Sequence, residues 1–210
     1  MTEIINIDPK YPEKDKIERC VKYLKAGAIV AYPTDTSYGL GVDATNVSAI
    51  LKLRKLKNRS LEQSISVIVS SIEMARKYAH LDESALKLIK TFMPGPLTIV
   101  VRKRSTIPDV LNKNAISFRI PANTVAISLC NALGKPITAP SANPRGLKPA
   151  YTLEKLLEYF KNKIDGIAYI GDLPYTPPST IVDLRYETPK LIRKGPIPFK
   201  KILECLKESD

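Results

Sequence analysis

Four short segments hold the polar residues that a hydrophobic core does not explain. The first follows the apolar run at residues 28–32 and reads Pro33, Thr34, Asp35, Thr36, Ser37, Tyr38, Gly39, Leu40, Gly41. In open α/β sheets ligands sit beyond the carboxyl ends of strands, where small hydroxyl and carboxylate side chains can hydrogen-bond a polar substrate. The same residues can also close an Asx- or ST-type turn locally. The second segment is the basic helix end Lys52, Arg54, Lys55, Lys57, Arg59. Helix C-termini favour cations through the dipole, but this is more charge than a dipole needs. Lys57 and Arg59 sit where the helix gives way to a loop and can turn toward one anion, the arginine as a fork and the lysine as a point charge.

The third segment is Pro140, Ser141, Ala142, Asn143, Pro144, whose flanking prolines restrict where the Ser141 and Asn143 side chains point. The fourth is a set of extended stretches. Alternation in residues 116–120 puts Ser117 and Arg119 on one face and Ile116, Phe118 and Ile120 on the other, so Arg119 faces solvent or a cavity. Ser179 and Thr180, with Arg193 further on, add hydroxyls and another guanidinium.

Several familiar chemistries have no residues to run on. His80 is the sole histidine, which excludes a histidine metal cluster and argues against a Ser-His-Asp triad. Neither G-x-x-x-x-G-K-[ST] nor G-x-G-x-x-G occurs. Catalysis would therefore rest on charge and positioning, as phosphoryl and nucleotidyl transfer allow.

The elements that must position these residues follow from periodicity. Strands are expected near residues 4–7, 28–32, 65–69, 97–102, 116–120, 137–139, 167–170, 180–184 and 190–193. Helices are expected at 16–25 with Asp15 as N-cap, 48–57, 71–80, 82–92 with Asp82 as N-cap, 124–133 closed by Gly134, and 152–160. Residues 204–210 are expected to fray. With no repeat, no low-complexity segment and no convincing linker, residues 1–210 read as one α/β domain with a twisted mixed sheet and packed helices.

Composition sets the outer limits. The 210 residues carry 33 Lys+Arg against 21 Asp+Glu, a net charge of +12, which favours polyanionic or phosphorylated partners. Three cysteines without a C-x-x-C pair argue against a disulfide framework and fit a reducing compartment. The first residues hold no apolar signal-peptide core, and no apolar run reaches the ~18 residues of a membrane helix. A soluble, cytoplasmic protein without a membrane partner is expected.

Taken in order, YPTDTSYGLG (32–41), LKNRSLEQSISVIV (56–69), MPGPLTIVV (93–101), SFRIP (117–121), GKPITAPSANPRG (134–146), PPSTIVDL (177–184) and RKGPI (193–197) resemble the YrdC-like threonylcarbamoyl-AMP synthases in their short form. The resemblance implies a YrdC-like α/β fold with a large basic concave cavity. It implies a nucleotidyltransferase that makes threonylcarbamoyl-AMP and pyrophosphate from ATP, L-threonine and bicarbonate, with Mg²⁺. The product would serve N6-threonylcarbamoyladenosine modification of ANN-decoding tRNAs through a downstream threonylcarbamoyltransferase complex. The family's Lys-Arg-Ser-Asn tetrad falls on Lys57, Arg59, Ser141 and Asn143 as catalytic residues. ATP contacts fall on Arg59, Ser117, Ser141, Asn143 and Arg193, threonine contacts on Thr36, Arg119 and Ser179, with no metal ligand from protein side chains. Departures are Ser60 and Ser64, where many relatives have Pro, and Ile68, where some have His near the threonine. Two alternatives stand beside this reading. The basic surface suits a tRNA- or double-stranded-RNA-binding module recognising shape and phosphates. Related domains of hydrogenase-maturation carbamoyltransferases make carbamoyl-AMP.

Overall fold

The computed structural model describes residues 1–207; Glu208–Asp210, part of the segment expected to fray, lie outside the described residues. Two hydrogen-bonded sheets form where one was expected. The smaller has the order β1-β8-β2-β3 and the larger β10-β9-β5-β6-β4-β7. The strands are β1 (Glu3–Asn6), β2 (Val30–Tyr32), β3 (Gly39–Gly41), β4 (Val67–Ile68), β5 (Leu97–Val101), β6 (Ile116–Arg119), β7 (Ile137–Thr138), β8 (Gly166–Tyr169), β9 (Thr180–Asp183) and β10 (Lys190–Arg193). Both sheets mix parallel and antiparallel pairs. They meet edge to edge at β3 and β7, through isolated bridges Gly39–Ser141 and Asp43–Ile137 and a Thr138 N–H donated to the Val42 carbonyl at 3.1 Å. Strand β3 escaped the sequence pattern because its Gly-Leu-Gly offers a single apolar side chain.

Helices α1 (Lys14–Lys25), α2 (Val47–Lys57), α3 (Ile72–Tyr78), α4 (Glu83–Phe92), α5 (Thr124–Leu133), α6 (Leu153–Phe160) and α7 (Phe199–Lys207) complete the described chain. Side-chain caps start α2, α3, α4, α5 and α6 from Asn46, Ser71, Asp82, Asn123 and Thr152. Asp15 is not the cap of α1: it lies inside the first turn, and Glu13 holds the cap position without a capping hydrogen bond. An acid in the first turn still complements the dipole, which is why the sequence pointed there. Residues 204–207 are helical, because Ile202 and Cys205 bury one face of α7.

The basic stretch at the end of α2 splits three ways. Lys52 and Lys55 are exposed. Arg54 is buried and braces the following loop, donating to the carbonyls of Val110 (2.6 Å), Leu111 (2.8 Å), Gln63 (3.0 Å) and Ser60. Asn58 then takes a left-handed conformation that ends the helix and turns the chain toward Arg59. Replacing Arg54 with Met should strand these carbonyls and cost about 3 kcal/mol, read as a lower urea midpoint. An unchanged midpoint would show that the loop holds itself.

Candidate active site

A cavity of about 250 Å³ opens where the β2–β3 loop, the α2–β4 loop, the start of β5, the end of β6, the segment after β7 and the approaches to β9 and β10 meet. Its wall includes Thr36, Arg59, Arg119, Ser141, Ser179 and Arg193. These residues are scattered from position 36 to 193, and the sheet order gathers them. Lys57, Ser117 and Asn143 stand one layer behind the wall.

The first loop serves both roles that its composition allowed. Thr34 closes an ST-type turn: its Oγ1 donates to the Ser37 carbonyl at 2.7 Å and accepts from the Thr36 and Ser37 N–H groups. That leaves the Thr36 hydroxyl at the cavity, accepting from Arg119 Nη2 at 3.1 Å. Arg119 is 6 % exposed, so the polar face of β6 looks into the cavity and not to solvent. Asp35 Oδ1 lies 2.7 Å from Arg119 Nη1, out of line for a hydrogen bond, and neither carboxylate oxygen finds another partner. The two are an ion pair held by attraction without directional bonding. The sequence carried a sign of it, an acid between two threonines, but no means to pair that acid with an arginine 84 positions on.

Lys57 is 3 % exposed and reaches across to the third segment. Its Nζ donates to the Ser141 carbonyl (2.7 Å), to Asn143 Oδ1 (3.1 Å) and to the Asn143 carbonyl. Ser141 Oγ donates to Asn143 Oδ1 at 2.6 Å, while Asn143 Nδ2 donates to the carbonyls of Pro144 (3.0 Å) and Leu147 (2.6 Å). Asn143 is therefore spent on shaping its own loop, and Ser141 presents the loop to the cavity. Backbone bonds from Leu40 N to Pro140 O and from Ala142 N to Tyr38 O stitch this loop to the first. Ser117 lies behind Ser66, their hydroxyls 2.9 Å apart, and Ser66 is the one at the wall. Thr98 joins from β5, its hydroxyl 2.8 Å from that of Ser179. Ser66 and Thr98 were missed because each sits inside an apolar strand run where a lone hydroxyl reads as filler. Ile68 is fully buried in the core and takes no part in the wall.

Arg193 is aimed by Ser179, donating from Nε to its carbonyl at 2.9 Å and from Nη2 to its hydroxyl at 3.0 Å. The close crossing requires glycine at 195, since a Cβ there would lie 2.3 Å from the Thr180 nitrogen. Arg59 donates to the Ser64 carbonyl at 2.8 Å, so the serine at 64 leaves the loop tied.

Burial lowers the Lys57 ammonium to about 8, with the neighbouring Arg59 charge adding to it. Partial desolvation at the cavity lowers Arg193, which lies on an otherwise exposed strand, and Arg119 adds to it; half-buried Arg59 is lowered by burial and then by Arg145. No carboxylate lines the wall among the described residues. Cations gathered in a half-enclosed hollow repel one another and lose hydration, a cost that a bound polyanion offsets. The hollow has hydroxyls to orient such a ligand and guanidiniums to neutralise it. It lacks a donor set for a protein-held divalent cation: no group of His, Cys, Asp or Glu suited to a metal occurs among the described residues, and the oxygens of Asp35 are sealed from the cavity.

Comparison with known proteins then bears on the site. The family model Sua5/YciO/YrdC, described as telomere recombination, matches residues 22–195. A putative threonylcarbamoyl-AMP synthase of Methanocaldococcus jannaschii is 34% identical over 192 residues, 91% of each chain. The threonylcarbamoyl-AMP synthase of Pyrococcus abyssi is 33% identical over 99% of this chain and 62% of its own. The crystal structure of P. abyssi Sua5 complexed with L-threonine superposes with a TM-score of 0.93 at 32% identity, again over 99% of this chain and 62% of that one. Escherichia coli YciO superposes at 0.89 and 25% identity, over 96% of this chain and all of that one.

The lowered Lys57 value makes a measurable statement. The folded state holds this proton less tightly than the unfolded chain, whose lysines titrate near 10.4. Below pH 8 the charged form is present in both states and its burial costs stability; between about 8 and 10 the folded state sheds the proton first, and this contribution to stability rises. With ¹³Cε-labelled lysine, NMR should find one resonance with a midpoint near 8 that is missing in Lys57→Arg. All lysines titrating above 10 would contradict the buried placement.

Proposed function

We propose that this chain, which belongs to the Sua5/YciO/YrdC family, is a nucleotidyltransferase that forms L-threonylcarbamoyl-AMP from ATP, L-threonine and bicarbonate. The single observation that carries the reading is one cavity lined by two guanidiniums without a carboxylate partner, Arg59 and Arg193, beside a third, Arg119, already paired with Asp35. Two anionic reactants must meet in such a reaction, and the wall supplies fixed positive charge on the nucleotide side. Arg59, Arg193 and the Ser141 hydroxyl bind the triphosphate. Arg119, Thr36 and Ser179 take the threonine, with Arg119 at its carboxylate; a P. abyssi relative is known with L-threonine bound. Lys57 and Asn143 hold the Ser141 segment against α2, and Ser117 sets the Ser66 hydroxyl.

In the proposed chemistry the uncharged amine of threonine adds to CO₂ derived from bicarbonate and releases a proton, giving a carbamate. A carbamate oxygen attacks the α-phosphorus, and the bond to the bridging oxygen breaks as pyrophosphate departs. Arg59 and Arg193 hold the charge that develops on the leaving group. Mg²⁺ would travel on the nucleotide's phosphates, as the wall offers it no carboxylate. Residues 1–210 act as one catalytic unit, supported by a buried core running continuously from Ile5 to Cys205. The product goes on to tRNA modification in the cytoplasm through a downstream transferase complex; among the described residues no helix is long and apolar enough to cross a membrane. A carbamoyl-AMP-forming enzyme is the weaker reading. The likeness to full-length HypF is 21% identical and covers 85% of this chain and 29% of that one, which concerns the fold alone.

Arg59→Ala should cut ATP–pyrophosphate exchange by about two orders of magnitude, the loss of one transition-state charge contact of ~3 kcal/mol. Lys57→Ala should do likewise by releasing the Ser141 loop. Wild-type exchange in both variants would refute the assignment. Thermal melting supplies a second reading: ATP with threonine and bicarbonate should raise the midpoint by linkage, whereas a protein that only binds RNA ignores threonine.

A further inference from the structure

Three guanidiniums share the cavity wall, and among the described residues only Arg119 faces an acid. Arg59 and Arg193 are tied to neutral carbonyls, those of Ser64 and Ser179, so neither charge is cancelled. Arg119 Nη1 lies 2.7 Å from Asp35 Oδ1, while its Nη2 donates to the Thr36 hydroxyl. The turn around the acid sets its place: Thr34 Oγ1 accepts from the Thr36 and Ser37 N–H groups, which fixes the backbone just beyond Asp35. The Asp35 side chain is 10 % exposed and takes no part in the cavity wall.

A bidentate, hydrogen-bonded pair is the usual way to bury an arginine with a carboxylate. Here neither carboxylate oxygen nor the facing Nη1 makes a hydrogen bond. The acid cancels the charge of Arg119 and leaves the Nη1 donors unspent. Arg119 also stands close enough to Arg193 to help lower it. Were Arg119 unmasked, a polyphosphate held by Arg193 would spread onto it and occupy the place of the amino acid.

We propose that Asp35 reserves Arg119 for a zwitterionic amino acid and keeps phosphate off it. The inference rests on the reading of Arg119 as the partner of the threonine carboxylate. Coulomb's law supplies the selection. A phosphate brings only negative charge to Arg119, and the adjacent Asp35 repels it. An amino acid brings a carboxylate for the guanidinium together with an ammonium that Asp35 attracts, so the pair can admit it without a net charge imbalance. Asp35 need not touch the ligand; it acts through Arg119, as a positioning residue. Two cationic subsites in one hollow then take different ligands, the unmasked Arg59 and Arg193 a polyphosphate and the masked Arg119 a zwitterion. An ion pair that only held the β2–β3 loop to β6 would lower stability when broken, and would not raise phosphate affinity.

The test is titration calorimetry of the full chain with inorganic pyrophosphate, L-threonine and 3-hydroxybutyrate, each added alone; the last is threonine without its ammonium. Wild type should bind threonine about tenfold more tightly than 3-hydroxybutyrate. In Asp35→Asn that preference should shrink to within about threefold, and pyrophosphate should bind about tenfold more tightly as Arg119 joins the open cations. Breaking a buried pair costs stability, so Asp35→Asn/Arg119→Gln, which removes both charges, is titrated as well and decides the matter if the single variant does not fold. It should keep wild-type pyrophosphate affinity and lose threonine. A folded Asp35→Asn with wild-type pyrophosphate affinity, or a double variant that binds pyrophosphate about tenfold more weakly, would overturn the proposal. If wild type does not bind threonine, the amino-acid reading of Arg119 falls, and the pyrophosphate titrations still decide whether Asp35 masks it.

Discussion

Arg59 and Arg193 are held in a half-enclosed hollow with no acid to answer them, and much of the architecture exists to keep them there. Left alone, such charges would swing out to water. Each is instead tied by its own donors to a backbone carbonyl, Arg59 to Ser64 and Arg193 to Ser179, and each carbonyl belongs to a segment fixed by the sheet or by Arg54. Arg59 is half-buried and Arg193 reaches the cavity from an exposed strand, so hydration is given up only in part; with the direction of each charge already set, little reorganisation is needed when a polyanion arrives.

The seam between the two sheets has the same purpose. Hydrogen bonds at the β3 and β7 edges bring the Thr36 loop and the Ser141 loop together, and the Lys57 ammonium closes the join from the side of α2. The buried lysine ties two carbonyls and an amide oxygen of one loop to α2, at the cost of a charge removed from water. Arg119 is handled differently. Asp35 neutralises it without directional bonds, so its guanidinium is charge-balanced yet can realign when a substrate carboxylate competes for it.

Helices were legible wherever a capping side chain preceded an apolar stripe, as at Ser71, Asp82 and Thr152. Long apolar strands were legible too. The division into two sheets was not, because β3 and β7 are two or three residues long and carry pairing information only in three dimensions. Of the site, the ordered motifs pointed to Lys57, Arg59, Ser141 and Arg193, and the alternation in β6 pointed to Arg119. Periodicity could not say that Lys57, Ser117 and Asn143 stand behind the wall while Ser66 and Thr98 form it. Layering depends on which side chain is spent on its neighbours, and sequence spacing does not record hydrogen-bond partners.

The central claim is that the cavity joins a carbamate of threonine to the α-phosphate of a nucleotide. Mass spectrometry of the products formed from ATP, ¹³C-bicarbonate and L-threonine tests it most directly. The account predicts a labelled threonylcarbamoyl adenylate appearing with pyrophosphate, and much less of the corresponding adduct when serine replaces threonine. ATP recovered intact, or an adenylate lacking the bicarbonate carbon, would contradict it.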